Sequence, residues 1–181
     1  MKSTSIHDNR KNVLVDSSSI IILYKSGLLE KVILYYNIYM TDSVFNELTQ
    51  SNHAGSAEVK QFKIEKTIQV VSSGLMTIPV EDEQKKLASL DKGEYDTIVA
   101  YLNGAGDFII LDDGKGAVYC KKNDIPYINA LLVPRILLLS SIITKEDYDV
   151  MTHKVVEFGR YSEKIIEFAR LCTNGRLEYF L

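Results

Sequence analysis

The apolar run Phe108-Ile-Ile-Leu111 leads straight into two adjacent aspartates, Asp112 and Asp113. An acid at the tip of a buried strand constrains a fold strongly, because an ionised carboxylate is costly to desolvate unless donors or a cation meet it. The stretch around it, Asp91 to Cys120, opens with a capping acid, carries Asp96 on a helix and breaks at Gly104-Ala-Gly106. After the acids, Gly114 and Gly116 lead into another helical segment. In open α/β sheets, ligands bind at the carboxyl ends of the strands. The stretch therefore predicts half of an acidic, metal-binding site, and the rest of the chain should supply the other half.

The remaining chain alternates short apolar runs with helical patterns. Val13-Leu-Val15 reads as a buried strand ending in Asp16, with Ser17, Ser18 and Ser19 able to cap the helix that continues through Ile20–Tyr24. A helix over Leu28–Tyr36 precedes a strand over Ile38–Met40. The cluster Thr41-Asp42-Ser43 then opens a helix in which Val44, Phe45 and Leu48 share a face and Glu47 sits at its edge. Ala57–Lys66 predicts a helix, Ile68–Val71 a strand, Ser72–Pro79 a loop and Glu81–Leu90 an amphipathic helix. Asp91-x-x-Glu94 resembles a capping box, and the helix it opens stops at Gly104. Further on, the pattern predicts a helix over Lys115–Asn123, a strand over Pro126–Ile128 and a buried helix over Leu132–Ser140 with Pro134 in its first turn. Thr144-x-x-Asp147 caps a helix expected to stop at Gly159, and Ser162 opens a last one to about Leu171.

Strands alternating with helices mean βαβ units: a three-layer α/β/α fold with a short parallel sheet and extra C-terminal helices. The expected organisation is a leader over 1–12, one domain over 13–173 and a tail over 174–181. With 46% hydrophobic and 25% charged residues, a full core can be built. The formal charge of −3 argues against holding nucleic acid through a global basic field. Cys120 and Cys172 fit neither a disulfide framework nor a zinc pattern and read as small buried hydrophobes. The polar start, MKSTSIHDNRKN, lacks the apolar segment of a signal peptide, and no apolar run is long enough to span a bilayer. A cytoplasmic protein without membrane contact is expected.

Right-handed crossovers bring the carboxyl ends of Val13–Val15 and Phe108–Leu111 to one edge of the sheet, so Asp16 and Asp112/Asp113 become neighbours. Singly, each acid has a bland explanation. Asp16 can cap a helix, Glu47 can be a solvated glutamate, Glu94 is explained by capping, and Asp113-Gly114 makes a turn. Asp96 is harder to dismiss, since it shares a semi-apolar face with Val99, Ala100 and Asn103. Carboxylates converging at one edge repel each other unless a cation joins them. An oxygen-only donor set without clustered His or Cys suits Mg²⁺ or Mn²⁺, and such a site can activate water for displacement at phosphorus.

Four segments, in order, resemble the PIN domain, the small α/β fold of metal-dependent ribonucleases that includes the toxins of many prokaryotic toxin–antitoxin pairs. They are Val13-Leu-Val-Asp16-Ser-Ser, Thr41-Asp-Ser-Val-Phe-Asn-Glu47-Leu, Gly93-Glu-Tyr-Asp96-Thr-Ile-Val-Ala100 and Ile109-Ile-Leu-Asp112-Asp113-Gly-Lys-Gly-Ala117. The chain departs from one toxin-like subgroup at Gly116, where a basic residue is usual nearby, and at Asn129-Ala130, which stands for a Gly-Thr pair. The resemblance implies an endoribonuclease using Mg²⁺ or Mn²⁺, with Asp16 and Asp96 as primary ligands. Glu47 would bind through water or orient the attacking water, and Asp112 or Asp113 would complete the site. Ser17, Lys115, Lys121, Lys122 and Arg135 are candidate substrate contacts. RNA is the implied substrate, and an antitoxin protein or a second copy of the chain are candidate partners, with Tyr35, Tyr36, Tyr39 and Leu131–Ser140 available for an interface or for the core. A haloacid-dehalogenase phosphatase would need an acid where Ser18 stands. A signalling receiver domain would need a conspicuous lysine after a late strand. The competing reading is a non-catalytic PIN-like module that works by binding a partner.

Overall fold

In the computed structural model, which describes residues 10–50, 53–72, 87, 89–112 and 114–181, five parallel strands form one sheet in the order β3-β2-β1-β4-β5. They are β1 (Asn12–Val15), β2 (Asn37–Thr41), β3 (Ile68–Val71), β4 (Phe108–Ile110) and β5 (Tyr127–Ile128). The central position of β1 follows from its composition. Val13, Leu14 and Val15 have no exposed surface, as expected for a strand covered on both faces.

Side chains alternate across a strand, so each strand feeds two cores. Val13, Val15, Ile38, Met40, Phe108 and Ile110 enter one apolar layer. Leu14, Ile109 and Leu111 enter the other, together with Ile98, Val99 and Tyr119. The first layer is closed by α1 (Ser17–Lys25), α2 (Leu29–Tyr35), α3 (Asp42–Gln50), α4 (Ser56–Ile64), α7 (Val133–Leu139) and α8 (Lys145–Gly159), through residues such as Ile20, Val32, Val44, Val59, Ile136 and Val155. The second is closed by α5 (Lys92–Leu102) and α6 (Gly114–Lys122). The arrangement is the three-layer α/β/α fold. A last helix, α9 (Glu163–Leu171), and two 3-10 turns over 174–176 and 178–180 complete the chain.

The capping signals operate largely as read. Asp91 accepts from the Glu94 N–H at 2.8 Å, Thr144 and Asp147 form a reciprocal capping box, and Ser162 caps α9. Gly104, at φ +79, ends α5 in the left-handed region. One expectation changes. The serines after Asp16 do not cap α1. Asp16 does so itself, since as the last extended residue (φ −80, ψ 170) it alone has the cap conformation. The helix α8 ends at Gly159 as expected, and Arg160, next in the chain, takes the left-handed turn at φ 51.

The leader's first nine residues, the loop at 73–79 and most of the helix expected over Glu81–Leu90 lie outside the described residues. Of the interface candidates, Tyr36 is buried in the core and Tyr35 and Tyr39 are partly buried. Both cysteines are free and buried. Among the described residues, no helix is long and apolar enough to cross a membrane.

Candidate active site at the carboxyl edge of the sheet

Register places the first two acids. Val15 pairs with Ile110, and the Asp16 N–H donates to the Ile110 carbonyl at 3.2 Å. Asp16 is therefore level with Leu111, one residue short of Asp112. Asp16 is buried, and both of its oxygens are engaged: Oδ1 accepts from the Ser19 N–H at 2.9 Å and Oδ2 from the Ser18 hydroxyl at 2.6 Å. Those bonds favour the ionised form, yet burial and the neighbouring Asp112 outweigh them and push the carboxyl up from 3.8 to about 7.

Asp112 is held by three donors from three separate elements. Ser19 Oγ of α1 donates to its Oδ2 at 2.7 Å. The Ala130 N–H, just after β5, straddles both oxygens at 3.1 and 3.2 Å. The third donor is the Tyr161 hydroxyl, from the turn between α8 and α9, which reaches Oδ1. Desolvation raises the Asp112 carboxyl, and these donors oppose that rise. The Tyr161 phenol is itself raised, first by burial and then by the charge on Asp112. Ser19 thus ties the two acids together, its N–H on Asp16 and its hydroxyl on Asp112.

The other acids gather on α5, which packs against β1, β2, β4 and α3. Glu94 and Asp96 are both buried although they point to different sides of the helix. Asp96 Oδ2 accepts from Lys92 Nζ at 2.7 Å, one turn back, and the Lys92 ammonium is largely exposed. Glu94 is more than part of a cap. Its Oε1 accepts from the Gly116 N–H at 3.2 Å, in the first turn of α6. A Cβ on Gly116 would sit 2.8 Å from that oxygen and 2.7 Å from Leu111 Cδ2, so the contact needs a glycine there. Glu47 is exposed on α3, with Oε2 3.2 Å from where a Cβ on Gly93 would stand, beside the first turn of α5.

Among the remaining candidates, Asp113 lies outside the described residues. Ser17 is the first residue of α1. Lys115 Nζ reaches the Ser89 carbonyl at 3.4 Å and borders a cleft of about 570 Å³ with Leu90, Tyr119 and Lys122. Lys121 and Lys122 occupy the last turn of α6, where a cation complements the helix dipole, about 12 Å along the axis from the acid-bearing end. Arg135 is turned to the C-terminal segment instead. Its guanidinium donates to the Cys172 carbonyl and to Asn174 Oδ1.

Ser19, Glu94 and Tyr161 are the site groups that sequence reasoning passed over. Glycine spacing offered a signal for Glu94, since Gly116 is the residue whose missing Cβ admits it. Nothing local marks Ser19 or Tyr161, whose bonds to Asp112 span 93 and 49 residues.

Among the described residues, no three acidic, histidine or cysteine side chains gather tightly enough to hold a metal ion. The donor set nevertheless fits a hard, hydrated cation. Mg²⁺ keeps several waters and takes one or two carboxylates, which the Asp16–Asp112 pair supplies. Close by in sequence, Asn129 Oδ1 is a buried oxygen with no hydrogen-bond partner, one residue before the Ala130 N–H that holds Asp112.

A five-stranded parallel sheet between two helical layers, with acids at the carboxyl edge of β1 and β4, defines an α/β/α protein with a strand-end acidic site. A family model described as the PIN domain matches residues 12–149, and the chain belongs to that family, whose members are generally nucleases. No curated protein and no solved structure matches it significantly.

Proposed function

We propose that the chain is a metal-dependent endoribonuclease, and that it is the toxin of a toxin–antitoxin pair with a protein antitoxin as its partner. The observation that carries the reading is the Asp16–Asp112 pair, bridged by Ser19, at the carboxyl edge of a PIN-domain sheet. Asp16, Asp96, Asp112 and Asp113 would hold Mg²⁺ or Mn²⁺. When bound, such an ion supplies charge stabilisation at a phosphoryl oxygen and a water of lowered pKa. Ser19 and Ala130 hold Asp112, and Gly93, in the first turn of α5, lets that turn approach Val44 and Glu47 of α3. Glu47, exposed beside that turn, is the group that would orient an attacking water. Ser17 and Lys115 are the nearest candidates in sequence for substrate contacts, since each follows closely on an acid.

One observation favours the second reading, a non-catalytic module acting through a protein partner: Lys92 already neutralises Asp96 internally. Incubating mixed-sequence RNA with wild type and Asp96→Asn, with Mn²⁺ or with chelator, separates the two. The nuclease reading expects cleavage that needs Mn²⁺ and is lost in the variant. Absence of cleavage by wild type at any Mn²⁺ concentration leaves the binding module.

A further inference from the structure

Residues 150–181 lie beyond the matched family segment, yet they contribute a group to the acidic site. We propose that Tyr161 is a positioning residue for Asp112, so that the C-terminal helices are part of the metal-binding apparatus and not an appendage to it. The inference rests on the metal-dependent reading above.

Two features of the turn between α8 and α9 are built around this contact. A Cβ on Gly159 would overlap Tyr161 Cε2 and fall 2.6 Å from Cζ, so glycine is what leaves room for the ring. Arg160 adopts φ 51, a conformation that non-glycine residues rarely take, and turns the chain so that the ring faces inward. Ser162 then caps α9, accepting from the Ile165 N–H. On the other side of the contact, α8 packs against α1, which carries Ser19, and against residues 130–132, which carry the Ala130 N–H. The helix is therefore docked on the same two elements that supply the other donors to Asp112.

A carboxylate has about four lone-pair positions, and three donors fix both its plane and its charge. With Ser19 on Oδ2, Tyr161 on Oδ1 and Ala130 between them, rotation of the Asp112 carboxylate is blocked. Groups that orient a metal-ligating carboxylate in this way commonly account for 10–100-fold in metal affinity. Removing the Tyr161 hydroxyl leaves Oδ1 with only its share of the Ala130 N–H, which loosens the Asp112 carboxylate while leaving the ring in its seat over Gly159.

The test is Mn²⁺ binding to the full chain, measured by titration calorimetry on wild type, Tyr161→Phe, Gly159→Ala and Ser162→Ala. Metal-free thermal melts of all four check that each is folded. Tyr161→Phe should lose about 10–100-fold in Mn²⁺ affinity. Gly159→Ala, which displaces the ring, should lose a similar factor by an independent route. Ser162→Ala loosens the α9 cap without touching Asp112 and should bind as wild type does. Cleavage by Tyr161→Phe should be rescued by raising Mn²⁺, with an unchanged KM for RNA. Wild-type affinity in Tyr161→Phe overturns the proposal, and so does an equal loss in Ser162→Ala. If wild type binds Mn²⁺ without cleaving RNA and Tyr161→Phe binds it more weakly, the proposal stands and the nuclease reading falls. If wild type binds no Mn²⁺, both fall together.

Discussion

Asp16 caps a helix, sits out of water and faces a second carboxylate, and these roles pull its charge in opposite directions. Burial and Asp112 raise its folded-state value from 3.8 to about 7. Between those values the folded chain holds a proton that the unfolded chain has released, so this group's contribution to stability is present in acid and is lost as pH rises through about 7. At full expression the shift corresponds to roughly 4 kcal/mol, and the raised Asp112 acts with the same sign. Urea unfolding in chelator should therefore show stability falling from pH 5 to pH 8. Asp16→Asn keeps an acceptor for the Ser19 N–H and removes the buried charge. It should flatten that slope and exceed wild type at pH 8 by at least about 1 kcal/mol. A wild type that gains stability from pH 5 to pH 8, or a variant with the wild-type slope, would contradict the assignment. A residue that weakens the empty fold at neutral pH while sitting at the proposed metal site fits selection for binding over stability.

The contact between α5 and α6 rests on one missing side chain. In the interior of an exposed helix, replacing glycine by alanine gains about 1 kcal/mol, and Gly114, the first residue of α6, has room for the change, with nothing within 4 Å of an added Cβ. Gly116 does not, since its Cβ would meet Leu111 and the Glu94 carboxylate. Gly116→Ala should lower stability by about 1–3 kcal/mol and Gly114→Ala should leave it level or raise it, read by thermal melts side by side. Equal melting temperatures for the two variants would mean that the Glu94 contact is not tight. This pair of glycines also marks where the chain's pattern stops being readable. Strands were legible because Val13–Val15, Ile68–Val71 and Phe108–Leu111 are apolar runs bounded by turn residues, and three helix starts were legible because Asp91, Thr144 and Ser162 cap locally. Asp16 and Asp112 could be paired from crossover handedness alone. Local rules misled where a residue serves a distant partner. Glu94 looked spent on its cap but turns to Gly116, and Gly159, which does end α8, also makes room for Tyr161. Contacts between elements far apart in sequence leave no periodic trace.

The whole molecule is larger than its matched segment. The first core continues past residue 149 into Val155, Cys172 and Leu177, all buried. Phe180 stacks edge-on against Phe108 at 5.0 Å, and its carbonyl accepts from the Tyr36 hydroxyl. Tyr179 donates to the Asp107 carbonyl at 2.8 Å, at the entry to β4. The chain end thus braces the amino end of the strand whose carboxyl end carries Asp112. Within this C-terminal segment, burial and not position should decide what a substitution costs. Leu177 is 1% exposed, so Leu177→Ala removes buried methyl groups and leaves a cavity, and it should cost about 2–5 kcal/mol. Leu171, 70% exposed on α9, should cost no more than about 0.5 kcal/mol on the same change. Denaturant midpoints of the two variants compare them directly. If Leu177→Ala unfolds with the wild-type midpoint, the tail is not part of the cooperative unit, and the strand carrying Asp112 is held by the matched segment alone. If it loses the expected stability, the C-terminal helices and the sheet unfold together, and any truncation at residue 149 would remove the support of β4 along with Tyr161.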